Sequence, residues 1–373
     1  MPRSQAISDY YHPRDWLVGL QRYIIQNPVY AELLKIFPYQ PEAFLNAETG
    51  LHYHMTIMTQ CRYSYDEKLR NMIISAILNF QKEELKLPTF HRMRSDQTSV
   101  NVNEMSELGY SQFSAISKTK IDDIKRYLLG KTLVPSYLTD VDERISLADA
   151  KRSLNVGYYH IDQVLNCPHI MEIANNPHLL AIVEEYLGVT PTLINPTIWW
   201  SFSGRNQEKD AQLFHFDNDD YRFCKLFIYL TDVDYNSGPH VFFAKTHRVD
   251  VIKKIRDASS CNTAFFDDWY LKTLRKSDKD ALKILNMSPK YFIGEAGAQF
   301  LVDTSGIHKG ELPQNKDRLV CQFTYGVLPK PLSNYCPRFI SRDSMSPIPP
   351  RIYTQLPYSY VNRIFLSNLL TLT

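Results

Sequence analysis

The chain has 373 residues, 44% hydrophobic and 22% charged, and only 13 glycines. Phosphate cradles of the dinucleotide and P-loop kinds need clustered glycines; there is no G-x-G-x-x-G, and the one Gly-Lys-Thr, Gly130 to Thr132, has Lys125 where the P-loop glycine belongs. A formal charge of +2, from 42 basic and 40 acidic side chains without a long single-sign block, gives no nucleic-acid or anionic-membrane footprint.

From its first residues, Met1-Pro2-Arg3-Ser4, the chain is polar where a secretory segment would be apolar. Its longest apolar stretches, such as Met72 to Leu78, are too short to span a membrane. The last residues, Thr371-Leu372-Thr373, are not a peroxisomal signal, so a cytoplasmic protein is expected. Helical spacing of Leu69, Met72, Ile73, Ala76, Ile77 and Phe80 predicts a helix over Asp66 to Leu87. The Ser/Asn-rich stretch Ser95 to Ser106 reads as a linker or surface loop. Helices are then expected over Asp122 to Leu129, Ser146 to Leu154 and Ile161 to Leu187, the last broken at Pro168 and Pro177 and capped by Gly188.

From about Thr190 the chain reads as β structure, with strands over Thr192 to Phe202, Arg222 to Thr231, Val241 to Phe243, Gln299 to Val302 and Leu319 to Val327. Such strands without alternating helices predict an antiparallel sandwich or barrel. A charged, partly helical insertion, 248–290, with Phe265, Phe266, Trp269 and Tyr270, is a candidate lid. Val361 to Leu370 reads as a last helix. Six cysteines without a C-x-x-C pair predict reduced, mostly buried thiols.

Two H-x-D triplets stand out among 11 histidines, His160-Ile161-Asp162 and His215-Phe216-Asp217. The first opens a helical pattern, where side chains two apart diverge by about 200°, so Asp162 reads as a first-turn acid. The second precedes a strand, where residues two apart share a face, so His215 and Asp217 can point at one ion while Phe216 turns to the opposite core. A third ligand must come from afar, and His308, in Gly306-Ile307-His308-Lys309-Gly310, is the candidate. Two histidines and a carboxylate on one face of an octahedron make the facial triad of non-haem Fe(II) oxygenases, with positions left for a chelating cosubstrate and O₂. Arg318, ten residues on, opens the final long strand. If the cosubstrate is 2-oxoglutarate, its distal carboxylate needs a planar bidentate partner, and Arg318 fits that role. The remaining histidines, among them His52, His54, His169, His178, His240 and His247, read as surface or hydrogen-bonded structural residues. Of Trp199 and Trp200 one faces the cavity and the other the outer helices, and alternation alone leaves the choice open.

Several of these stretches resemble the phytanoyl-CoA dioxygenase family of Fe(II)/2-oxoglutarate oxygenases. They are Phe214 to Asp220 (FHFDNDD), Lys225 to Asp234 (KLFIYLTDVD), Ser237 to His240 (SGPH), Ile173 to Gly188 and Gly306 to Arg318 (GIHKGELPQNKDR). The resemblance covers Met105 to Pro329. It implies iron at His215, Asp217 and His308, the cosubstrate carboxylate on Arg318, and a further cosubstrate contact from Tyr229 or, on the same strand face, Lys225. Here Thr246-His247 replaces the family's Ser-His, and Gly310 stands where some members carry a hydroxyl. Asp217 stands where the superfamily's halogenases have Ala or Gly, so hydroxylation or a derived oxidation is implied.

The expected fold is a double-stranded β-helix, a jelly-roll barrel flanked by N-terminal helices. It divides into a helical extension 1–104, a dioxygenase domain 105–330 (helices 105–189, barrel 190–330) and a tail 331–373. The expected activity is oxidation of a small-molecule or lipid-like substrate with Fe(II), 2-oxoglutarate and O₂, releasing succinate and CO₂. The alternative is a catalytically silent barrel that binds a ligand or a protein.

Overall fold

The computed structural model of the chain describes residues 67–83, 95–136, 143–259 and 261–328, with short pieces at 19–20, 22–28, 31–32, 338–340 and 370–372. The expectations for His52, His54 and nearly all of the last helix lie outside the described residues.

α1 (Glu67–Glu83) forms where the apolar spacing predicts it and buries Leu69, Ile73, Ile77 and Phe80. Gln81 docks its end on the sheet: its amide donates to Thr190 O at 3.1 Å and its carbonyl accepts from Thr190 N at 2.9 Å. The stretch from Ser95 is not a loop. It is α2 (Asp96–Leu108), running across the expected boundary at 104/105. Ser95 Oγ accepts from Thr98 N, Thr98 Oγ1 accepts from Ser95 N, and Gly109 closes the helix at φ 84. Its polarity misleads because the polar side chains are themselves packed: buried Asn101 donates to buried Ser111 at 2.7 Å.

The region expected to be helical up to residue 189 also supplies three short strands. In chain order the elements are β1 (Tyr110–Phe113), α3 (Lys118–Leu128), β2 (Leu133–Val134), α4 (Leu147–Ser153), β3 (Val156–Tyr159), α5 (Ile161–Leu165), α6 (Ile170–Ala174) and α7 (Pro177–Leu187). Pro177 sits in the first turn of α7 behind an Asn176 cap, and Gly188 ends it at φ 77.

Then come β4 (Thr192–Ser201), β5 (Phe223–Tyr229), β6 (His240–Phe242), α8 (Val249–Ala258), α9 (Thr263–Asp267), α10 (Asp278–Leu285), β7 (Lys290–Phe292), β8 (Gln299–Val302), β9 (His308–Gly310) and β10 (Arg318–Gly326). Seven strands make an antiparallel sheet in the order β1-β8-β5-β10-β4-β3-β2, and three make a second, β7-β6-β9. In the tail β11 (Arg338–Ile340) pairs in parallel with β12 (Leu370–Leu372), so Leu370, expected to end a helix, begins a strand.

Side chains on the large sheet alternate between two cores. Leu226, Ile228, Leu319, Cys321 and Ile198 face the helices, in one cluster with α1, α3 and α7. Phe227, Tyr229, Phe300 and Val320 face the other way and meet Phe242 and Phe292 of the small sheet. Trp199 packs with that inner cluster and Trp200 with the outer one, which resolves the pair. Among the described residues the sheets face each other without closing into a barrel, so the expected double-stranded β-helix is realised as two open sheets.

The insertion 248–290 differs from a free lid. Phe266, Trp269 and Tyr270 are buried with Phe214, Val241, Phe243 and Ile307 in a third cluster on the outer face of the small sheet, and only Phe265 of the four aromatics is exposed. Burying such rings stabilises by roughly 1.5–3 kcal/mol each, which ties the insertion down as a structural layer. Four described cysteines are free thiols, and three of them are buried. Among the described residues no helix is long and apolar enough to cross a membrane.

Candidate metal centre

His215 and His308, 93 positions apart in sequence, meet because their backbones form an antiparallel bridge. His215 N donates to His308 O at 2.9 Å and His308 N to His215 O at 2.8 Å. Residues paired in this way project their side chains to one face, and the ring centroids lie 4.3 Å apart. Two residues on, Asp217 N donates to Thr304 O at 2.8 Å, which returns Asp217 to the same face. His215 Nε2 is 3.6 Å from Asp217 Oδ1, and His308 Nε2 is 3.5 Å from Asp217 Oδ2. One ligand atom from each of the three residues lies within 4.8 Å of the others.

Backbone carbonyls set the tautomers. Nδ1 of His215 donates to Leu213 O at 2.8 Å and Nδ1 of His308 to Gly306 O at 3.0 Å, which leaves both Nε2 lone pairs for a cation. Burial, reinforced by its histidine neighbour, depresses the His215 pKa to about 3, and burial likewise lowers that of His308. Both imidazoles are therefore neutral ligands at neutral pH. Burial alone would raise the Asp217 carboxyl, but the ammonium of Lys225 together with the two facing imidazoles outweighs it and holds the group ionised. The donor set, two neutral imidazoles with their second nitrogens fixed and one carboxylate, fits a divalent first-row metal with open coordination positions.

Lys225, on the inner face of β5, reaches across from the large sheet. Its Nζ is 2.6 Å from Asp217 Oδ2 and 2.8 Å from Asp219 Oδ2. The two carboxylates raise its pKa against the effect of burial, so it is a fixed cation beside one oxygen of the triad.

Arg318 is 5% exposed and has no carboxylate partner among the described residues. Its Nη1 donates to Gly238 O and its Nη2 to Ser201 Oγ at 3.1 Å, while Nε has no partner. Gly238 adopts φ 71 and so turns its carbonyl to the guanidinium, a conformation that suits glycine. Gly310 leaves the room: a Cβ there would sit 3.0 Å from Arg318 Nη2. A buried cation without a counter-anion is costly.

Tyr229 lies on the same inner face, but its hydroxyl donates to Phe292 O at 2.8 Å and accepts from His240 N at 3.0 Å. Burial pushes its pKa up to about 12, so it keeps its single proton. His240 was read as an ordinary structural or surface histidine; the structure places it elsewhere. It is 5% exposed, packs on Phe227 at 4.6 Å and on His308 at 5.4 Å between ring centroids, and its Nε2 has no hydrogen-bond partner. Its position in Ser237-Gly238-Pro239-His240 carried no signal beyond the resemblance, since a lone histidine after a turn is usually solvated. His160 caps α5, with Asp162 in the first turn, as expected. His169 pairs with Asp123 and Glu172, and His247 Nε2 donates to Ser106 O at 3.2 Å.

A second acidic group, Glu208, Asp278 and Glu311, also gathers its oxygens within metal-binding reach. Lys309 Nζ stands among them, at 2.8 Å from Glu208, 2.7 Å from Asp278 and 3.2 Å from Glu311. Beside the first centre, Asn218 and Ser305 line a cavity of ≈ 260 Å³ whose wall includes Ile252 and Tyr270 of the insertion but neither the triad nor Arg318.

No protein-family model matches the chain, and no curated protein matches it. Solved structures similar to it include the non-haem α-ketoglutarate-dependent epimerase SnoN from nogalamycin biosynthesis, at 14% identity and TM-score 0.39 over 61% of this chain and 82% of that one. HygX from Streptomyces hygroscopicus, with nickel and 2-oxoglutarate bound, matches at 11% identity and TM-score 0.39 over 66% and 91%. EctD from S. alaskensis with bound Fe matches at 13% identity and TM-score 0.42 over 62% and 76%. Likenesses this distant assign no reaction, and the resemblance to the phytanoyl-CoA dioxygenase family rests on its motifs.

Proposed function

We propose that the protein is an Fe(II)- and 2-oxoglutarate-dependent oxygenase acting on a small organic molecule. The observation that carries this reading is the pairing of two neutral imidazoles and an ionised carboxylate with a buried arginine that has no carboxylate partner among the described residues. His240 links the two by position: its ring stacks on that of His308, and it pairs in register with Gly310, which borders Arg318 Nη2. A dicarboxylate with a keto-acid end for the metal and a distal carboxylate for Arg318 satisfies both at once.

His215, Asp217 and His308 would hold the metal through Nε2, a carboxylate oxygen and Nε2. With 2-oxoglutarate bound, such a centre supplies the oxidation of a substrate C–H by O₂, yielding hydroxylated product, succinate and CO₂. The protein's own part is positional. The His215–His308 bridge fixes the ligand spacing, and the aromatic cluster of Phe227, Phe292 and Phe300 excludes water from the chamber. Arg318, already aimed by Gly238 O and Ser201 Oγ, orients the distal carboxylate. Lys225 keeps Asp217 ionised. The cavity next to Asn218 and Ser305 is assigned to the substrate, and its size suits a small molecule.

One observation favours a second reading, a silent binding protein: the ammonium of Lys225 already lies against Asp217. Turnover separates the two. Incubation with Fe(II), O₂ and 2-oxoglutarate should release succinate slowly even without substrate, and a chelator or Asp217→Ala should stop it. Succinate at the rate of a metal-only control supports the silent protein.

A further inference from the structure

His240 is a buried histidine whose Nε2 is hydrogen-bonded by neither the triad nor the rest of the described residues. It opens β6, in register with Gly310 of β9, the residue whose missing side chain makes room for Arg318. Its backbone N–H is held by the Tyr229 hydroxyl at 3.0 Å, and its ring is wedged among Phe227, Phe292, Phe300 and His308, with centroids 4.6–5.7 Å away. Nε2 nevertheless has no partner among the described residues. Leaving a buried donor or acceptor unpaired is destabilising, and an apolar residue would fit this aromatic pocket without that cost. Stability therefore gives no reason for a histidine here. The groups around it do: its ring stacks on that of the proposed ligand His308, and it pairs in register with Gly310, whose Cβ position lies 3.0 Å from the Arg318 guanidinium.

We infer that His240 is a cosubstrate-binding residue, its Nε2–H donating to a carboxylate oxygen of the dicarboxylate that spans the triad and Arg318. This rests on the proposed 2-oxoglutarate reading and deepens it. The bound acid would be gripped by three groups, the metal, Arg318 and an uncharged imidazole that gains its missing partner only on binding.

The test is an anaerobic titration of the Fe(II)-loaded protein with 2-oxoglutarate, followed by the visible charge-transfer band, together with thermal melting of the unliganded protein. His240→Leu should raise the Kd for 2-oxoglutarate about tenfold or more, keep Fe(II) affinity, and leave the Tm unchanged or higher. His240→Gln, which restores a side-chain N–H, should recover most of the affinity. A histidine that only packs would behave oppositely: Leu would lower the Tm and leave the Kd within about twofold of the native protein. That result overturns the inference, as does a Leu variant that no longer folds or a loss of affinity that Gln fails to repair. If the native protein binds Fe(II) but shows neither the band nor saturable 2-oxoglutarate binding, the cosubstrate reading itself falls, and the inference with it.

Discussion

Two groups of ligand-type side chains lie on either face of β9. His308 points inward to His215 and Asp217; Lys309, the next residue, points outward into Glu208, Asp278 and Glu311. Both groups include a lysine. Lys309 Nζ donates to all three carboxylates of the group and is 1% exposed, so the cation that this cage holds is its own. Lys225 contacts one oxygen of Asp217 and then Asp219, while the Nδ1 of each imidazole is held by a backbone carbonyl and its Nε2 faces Asp217. A ligand set is a metal site only where the chain has not already filled it. Neutral imidazoles accomplish what three carboxylates do not: they gather donor atoms without accumulating a negative charge that the fold must neutralise for itself.

Substitutions can break this contrast. The largest effect should come from Asp217→Ala, which removes the one anionic ligand and should weaken Fe(II) or Co(II) binding by about a hundredfold or more, measured by titration of the Co(II) absorption spectrum. The stoichiometry of the native protein should be one metal per chain; a second equivalent at the Glu208 cluster would refute the contrast. Lys309→Met should instead cost about 3 kcal/mol of stability in denaturant unfolding, by leaving three carboxylates without their cation, and should not alter metal affinity at the triad. Lys225→Met sharpens the comparison from the other side. With the competing ammonium gone, metal affinity should rise about tenfold while the Tm of the metal-free protein falls.

The smallest effect concerns Asp317, beside Arg318. Burial works against its ionisation, but the Lys151 ammonium and the N–H and hydroxyl of Ser203 outweigh that and hold its pKa below the ordinary value. A depressed carboxyl stabilises the fold above its unfolded pKa, and that contribution fades as pH falls through the folded value. Asp317→Asn should therefore cost about 1–2 kcal/mol near pH 7, with the difference from the native protein vanishing in acid. A pH-independent difference would show that the carboxylate charge is not the cause.

The triad was legible because its chemistry is partly local. His215 and Asp217 are two apart in extended chain, and that spacing alone puts them on one face. His308 needed the bridge to His215, a pairing that no local pattern encodes. The long strands β4, β5 and β10 show their character in sequence because they are buried on both faces, whereas β1, β2 and β3 are two to four residues long and exist only through partners such as Val302 and Trp199. Helix α2 was hidden by polarity that the fold satisfies internally through Asn101 and Ser111. The aromatics of the insertion announce burial but not direction: Phe266, Trp269 and Tyr270 pack on the outer face of the small sheet, and Tyr270 also lines the cavity beside Asn218 and Ser305. His240 and the Lys309 cage were illegible for a shared reason: each is defined by what lies across from it in space.

The most direct measurement of the central claim is the visible spectrum of the protein with Fe(II) and 2-oxoglutarate under anaerobic conditions, set beside Asp217→Ala and Arg318→Leu. The native protein should develop a weak charge-transfer band that saturates with 2-oxoglutarate. Asp217→Ala should abolish it, and Arg318→Leu should demand about a hundredfold more 2-oxoglutarate to reach it, from the loss of a buried charge-assisted pair. No band in the native protein, or a band that survives unchanged in Asp217→Ala, would contradict the assignment of His215, Asp217 and His308 as the metal centre.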